Sequence, residues 1–142
     1  MPANTAPIFT KIGDVQWISG IATANTTTDL TSGTSYLAFT ADATNGGYVQ
    51  KMRFRAVTGT GNNNIATVAR VWINNGSVTT TAANNILFDE ISLAATTGSA
   101  TAALSIYELP LNLALPAGYR IYITLGTTVA AGYYSTVVGG KY

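Results

Sequence analysis

Apolar residues fall on every second position through the last third of the chain. Tyr107, Leu109, Leu111, Leu113 and Leu115 keep this beat, Leu115-Pro116-Ala117-Gly118 turns the chain, and Tyr119, Ile121, Ile123 and Leu125 take it up again. A period of two is what a strand needs when one face lies on a core, because successive side chains point to opposite sides of the pleat. The same reasoning predicts strands over Asp14–Ala24, Leu30–Ala41, Tyr48–Thr58, Ile65–Ile73, Ile86–Ala94 and Gly132–Val138, with Ser77–Asn85 a short edge strand or a loop. Asn45-Gly46-Gly47 and Asn74-Asn75-Gly76 read as hairpin turns, since Asn-Gly tolerates positive φ at both central positions. Roughly eight short strands and no convincing helix predict an all-β fold, a two-sheet sandwich of jelly-roll or Greek-key type, with a closed up-and-down barrel as the competitor. Trp17 and Trp72 lie in strong strand patterns and are expected in or beside the core.

Residues 1–12 break the pattern. Pro2 and Pro7 remove two backbone donors and hold their neighbours extended, while Ile8-Phe9 is an apolar pair with no periodic partner. We read them as an extended N-terminal arm ahead of a β-sandwich domain at 13–142. Such an arm lies across a neighbouring subunit, straps its own core, or frays. The opening residues have neither the basic nor the apolar region of a secretory signal, and no apolar run approaches the roughly 20 residues of a spanning helix. Synthesis in the cytoplasm and no membrane partner are therefore expected.

Composition sharpens this picture. A chain of 142 residues fits one domain that buries roughly 68–70% of its unfolded surface. Cysteine and histidine are both absent, which removes disulfides, thiolate metal sites, the commonest general base and the physiological pH switch. Only 9% of residues are charged, with a net charge of +1, so Thr, Ser, Asn, Gly and Ala must cover the surface. A charge-poor surface gives up mutual repulsion, and its short side chains lose little rotamer entropy when covered. That suits packing within an assembly. The plainer alternative is that strands favour Thr and turns favour Gly.

The candidate chemistry is sparse. Lys51, Arg53 and Arg55 alternate along one strand and so share a face with Val49 and Val57. This ladder is a contact for phosphate or for an acidic protein surface, or a solvated face that discourages edge pairing. With seven basic against six acidic residues and no basic tail or interleaved aromatics, no nucleic-acid partner is expected. Asp89-Glu90 point to opposite faces and cannot flank one bond. Asp42 with Thr44, Asn45, Gly46 and Gly47 lacks the carboxylates of a calcium loop and is better explained as a turn. Gly59-Thr60-Gly61 has the wrong spacing for a phosphate loop. Neither Lys11, Lys51 nor Lys141 is placed to activate a hydroxyl nucleophile. We expect no catalytic residue, metal or cofactor, and no enzyme.

The segment Leu113-Ala114-Leu115-Pro116-Ala117-Gly118-Tyr119-Arg120-Ile121-Tyr122-Ile123-Thr124-Leu125-Gly126-Thr127, continuing into Ala131-Gly132-Tyr133, resembles the Pro-Ala-Gly hairpin of small β-sandwich virion proteins of tailed bacteriophages. Tyr119 stands where an acidic residue is frequent. The Thr-rich run from Ile21 to Ala41 is similar in character. The resemblance implies a capsid decoration (cement) protein or a related head or tail accessory, located in the virion. Its implied partners are the major capsid protein or another virion protein, and further copies of itself, commonly as a homotrimer. The partner-binding residues are then Ile8 and Phe9 of the arm with Lys51, Arg53 and Arg55. The alternative is a carbohydrate- or receptor-binding module of a phage head or tail fibre. There, exposed Tyr133, Tyr134 and Tyr142 would stack on sugars, whereas otherwise these tyrosines pack in an interface or the core.

Overall fold

A computed structural model describes residues 10–142. It contains eight strands: β1 (Ile12–Ile21), β2 (Tyr36–Thr40), β3 (Gly47–Ala56), β4 (Thr67–Asn74), β5 (Asn85–Leu93), β6 (Ile106–Leu115), β7 (Arg120–Leu125) and β8 (Tyr133–Lys141). The one helical piece among the described residues is a 3-10 turn at Ala82–Asn84. Two antiparallel sheets form, sheet A in the order β1-β8-β3-β6 and sheet B in the order β2-β7-β4-β5. The two-sheet sandwich is thus the architecture.

Its winding is the jelly roll. Strand β1 pairs with β8, β2 with β7, β3 with β6 and β4 with β5, the pattern of one long ribbon folded at β4–β5 and rolled up. Among strands adjacent in sequence only β4 and β5 pair; every other turn carries the chain from one sheet to the other. Asn45-Gly46-Gly47 is therefore no hairpin. Asp42 Oδ1 accepts the amides of Thr44 and Asn45 (3.0 and 2.9 Å). Its carbonyl accepts Gly46 N at 3.0 Å and, from the turn after β6, Gly118 N at 3.2 Å. This directs the strand across the sandwich instead of back beside itself. Gly46 sits at φ +75, where a Cβ would run into the carbonyl of Leu115. Asn74-Asn75-Gly76 does lie in a hairpin, since the consecutive strands β4 and β5 pair antiparallel, but the connection, residues 75–84, is longer than a tight turn.

The core lies between the sheets and is built by the alternating positions. Leu109, Leu111 and Leu115 of β6 and Ile121, Ile123 and Leu125 of β7 are buried there with Phe39, Met52, Phe54 and Tyr133. Strand β3 departs from strict alternation. Val49 pairs with Gly139 and Lys51 with Val138, leaving Gln50 as an extra residue. This bulge turns Val49 into the core beside Met52 and Phe54, not onto the cationic face as alternation suggested. Strand β2 is shorter than the pattern implied because Asn25 organises the segment before it. Asn25 Nδ2 donates to the carbonyls of Ser32 and Thr34 (both 2.9 Å), and its Oδ1 accepts Thr27 N at 2.8 Å. Ile12, expected to end the arm, instead opens β1, and Lys11 N already donates to Lys141 O at 2.8 Å. Ile8 and Phe9 lie outside the described residues.

Buried asparagines tie the crossings together. Asn64 pairs its backbone with Thr96 (3.0 and 2.9 Å), while its Oδ1 accepts Ala131 N and Gly132 N (3.0 and 2.8 Å) and its Nδ2 donates to Gly132 O at 3.1 Å. Three separate loops meet at this one side chain. Ser135, buried in β8, is the opposite case, for its Oγ has no hydrogen-bond partner among the described residues. An orphaned buried group costs stability, whereas a fully paired one contributes it. Asn64→Ala should lose about 3 kcal/mol of unfolding free energy, while Ser135→Ala should range from neutral to about 1 kcal/mol more stable. Chemical denaturation of the two variants against wild type checks both signs.

Candidate functional site

The outer face of sheet A gathers the side chains of most interest. The register aligns Val15 of β1 with Val138 of β8, Lys51 of β3 and Pro110 of β6. The next row is Trp17, Thr136, Arg53 and Glu108, and the third runs from Tyr134 to Arg55 and Ile106. Lys51, Arg53, Arg55 and Tyr134 thus share one surface. Tyr133 does not, since adjacent residues of a strand point to opposite faces and its ring is fully buried in the core. It therefore cannot stack on a sugar or meet a partner. Its hydroxyl lies 3.5 Å from the Ala94 carbonyl, and burial pushes its pKa above the ordinary tyrosine value.

Trp17 is the residue that the pattern misplaced. It is 75% exposed, whereas Trp72 is 2% exposed and donates from Nε1 to Thr124 Oγ1 at 3.0 Å. The reason is the polar inner side of β1. Gln16 exchanges two 2.9 Å hydrogen bonds with the backbone of Thr40 in β2 and reaches Asp14 Oδ2 at 3.1 Å. That inner side closes the sandwich against β2, so Val15 and Trp17 face outward. Alternation had grouped Val15 with Trp17 but held no information on which side met the core.

Glu108 sets the electrostatics of the face. Lys51 Nζ lies 3.2 Å from Oε1, Arg53 Nε donates to the same oxygen at 2.9 Å, and Arg53 Nη2 also binds it. These donors, Arg53 before Lys51, hold the carboxyl below the ordinary glutamate pKa. Arg55 has no carboxylate partner among the described residues. Three cations against one carboxylate leave +2 on a face flanked by Val15, Trp17, Tyr134 and Ile106, which are 49, 75, 44 and 47% exposed. A shallow open depression of about 350 Å³ runs along Val15, Gln16 and Trp17. A flat apolar and cationic surface of this kind suits protein contact better than enclosure of a small molecule.

Other candidates carry less. A cleft of about 330 Å³ lies between Ile73, Ile86 and Tyr119. Its asparagines are already engaged, Asn75 with Asn84 Oδ1 at 3.2 Å, Asn84 with Val78 O at 2.9 Å and Asn85 with Thr79 O at 2.7 Å. The Asp42 carboxylate is consumed by its own turn, and Glu90 is held by Arg70 Nε at 2.8 Å. Among the described residues no three carboxylates gather as metal ligands, and no helix is long and apolar enough to cross a membrane. Comparison with protein-family models, with curated proteins and with solved structures found no match to this chain. What the fold and the site define is a class, an eight-stranded jelly roll with a flat apolar-cationic outer face.

Because the folded pKa of Glu108 is depressed, its contribution to stability is present above the ordinary glutamate value and is lost as pH falls through the folded value. Asp29 and Asp42, held low by hydrogen bonds to Thr31 and to Asn45 and Thr44, add to the same acid limb. In Glu108→Gln the loss of stability from near-neutral to strongly acid pH should be smaller than in wild type, though not abolished. Denaturation midpoints across that range measure it.

Proposed function

We propose that this chain is a structural subunit of a protein shell, of the capsid-decoration kind, that attaches to and reinforces an assembled lattice. It does so by covering the outer face of sheet A with neighbouring protein. The observation that carries this is the grouping of Trp17, Tyr134, Arg53 and Arg55 on one flat surface. Trp, Tyr and Arg are the residues most enriched at the energetic centres of protein interfaces. The surface is otherwise poor in charge, with 9% charged residues, and a charge-poor surface is easily covered. Jelly rolls recur in viral capsid and lectin domains, but fold alone does not assign function, so the face bears the weight. On this proposal the protein is non-enzymatic, works in the virion and acts as a homo-oligomer, a trimer being favoured. Its partners are the major capsid protein or another virion protein.

The exposure of Trp17 favours one second role, carbohydrate recognition, in which the indole stacks on a pyranose ring beside Tyr134. The experiment that separates the two is binding by the isolated chain and by assembled particles. For the structural role, the double variant W17S/R55E should fold normally and bind particles at least about tenfold more weakly. Unchanged particle occupancy of that variant overturns the proposal. Oligosaccharide binding by the isolated wild-type chain, lost in Trp17→Ser, supports the carbohydrate role instead.

A further inference from the structure

Two Asn-Gly pairs stand in the connections of the sandwich, Asn45-Gly46 before β3 and Asn75-Gly76 after β4. Both asparagines are exposed. Such a pair carries its own electrophile and nucleophile, because the glycine amide nitrogen can close on the asparagine Cγ with no side chain in its way. In a folded chain the outcome depends on how firmly each of the two groups is held.

The structure holds the two pairs differently. Asn75 is fixed at both ends of its side-chain amide, for Nδ2 donates to Asn84 Oδ1 at 3.2 Å and Oδ1 accepts Ser77 N at 3.1 Å. The Asn45 side chain makes no hydrogen bond among the described residues, while its backbone N donates to Asp42 Oδ1 at 2.9 Å. The nucleophiles are held alike: Gly46 N donates to Asp42 O at 3.0 Å and Gly76 N to Asn74 Oδ1 at 2.9 Å. Only the electrophiles differ. The turn also explains Gly46 without explaining Asn45. Gly46 sits at φ +75, where a Cβ would run into the carbonyl of Leu115, whereas Asn45 has no positive φ that would favour an asparagine.

We infer that Asn45 is a site of water-driven covalent modification that Asn75 escapes. Gly46 N, after giving its proton to hydroxide, attacks Asn45 Cγ. The bond from Gly46 N to Cγ forms, the bond from Cγ to Nδ2 breaks, and ammonia leaves with a proton from water. A second water then opens the cyclic imide. Opening at Cγ leaves an aspartate side chain, and opening at the main-chain carbonyl leaves isoaspartate, with the chain running through Cγ. One ammonia is released for each water consumed, and nothing is oxidised or reduced.

Either product takes the net charge from +1 to 1 − 1 = 0, and a chain without net charge associates more readily. Isoaspartate also lengthens the backbone by one methylene immediately before β3. A Cβ at Gly46 would meet Leu115 O and one at Gly47 would meet Gly140 O, so the added length has no room inward. It must push the exposed residues 43–45 outward and loosen the hydrogen bonds to Asp42. The pair lies at the end of the sandwich beside the 116–119 turn, off the outer face of sheet A, so its chemistry is independent of the docking role.

Incubation of the purified chain at mildly alkaline pH, followed by peptide mapping with mass spectrometry and an isoaspartyl methyltransferase assay, tests this. In the native chain Asn45 should convert at least about tenfold faster than Asn75, the factor that two hydrogen bonds of ordinary net strength supply. In denaturant the two rates should converge. Asn84→Ala frees Asn75 Nδ2 and should narrow the native gap, while Asn45→Ser should abolish the early acidic species with the circular dichroism unchanged. The isoaspartate form should melt below wild type and the aspartate form close to it. Asn75 keeping pace with Asn45 in the native chain, a gap that persists in denaturant, or conversion of neither pair until the chain is denatured would each overturn the inference.

Discussion

The molecule depends on pairing each strand of its first half with the mirror-image strand of its second, β1 with β8, β2 with β7 and β3 with β6. Apart from β4 with β5, no sheet pairing is local, so loop-closure entropy must be met before the ladders repay it. Chain crossings between the sheets are where backbone groups leave the ladder and need other partners. Short amide side chains fill that need because they offer donor and acceptor together in a fixed geometry. Asn64 gathers three loops, Asn25 folds the segment before β2, and Asn74 takes Gly76 N at 2.9 Å and reaches Asn85 Oδ1 at 2.8 Å. Each is buried, at 3, 1 and 0% exposure, in a chain whose other buried side chains are mainly apolar.

Strand positions were legible from the sequence because a half-buried strand must alternate, and of the residues that the pattern singled out β6 and β7 bury Leu109, Leu111, Leu115, Ile121, Ile123 and Leu125, with Tyr107, Leu113 and Tyr119 half-buried against them. The winding was not legible. An Asn-Gly turn looks the same whether it reverses a strand within a sheet or carries it to the other one, and Asp42 with Gly118 decides that at long range. Period two also separates the faces of a strand without saying which meets the core. Trp17 and Tyr133 were misjudged on that account, one outward and one inward. Val49 was misjudged for a different reason, since a bulge at Gln50 shifts the beat by one. The cation ladder was legible at spacing two. Its carboxylate was not, because Glu108 joins Arg53 only through the β3–β6 register.

That carboxylate shapes the face as much as the cations do. Lys51 and Arg53 are long side chains that would otherwise sample many rotamers, and one shared acceptor holds both across the sheet. An exposed ion pair adds little to folding stability. Its larger effect is to reduce the ordering that a partner must impose, which is where interfaces lose affinity. Arg55, outside this arrangement, keeps its charge for whatever covers it.

Because β1 pairs with β8 from Ile12 opposite Lys141, the chain enters and leaves the sandwich side by side at one corner. Polypeptide leading away from Thr10 or from Tyr142 would emerge from the same corner, at the end of the sandwich that also carries the 116–119 turn. A short linker could also connect the two ends and let new termini be opened in an exposed loop. The jelly roll is, in that sense, a closed circuit with its seam on a single edge.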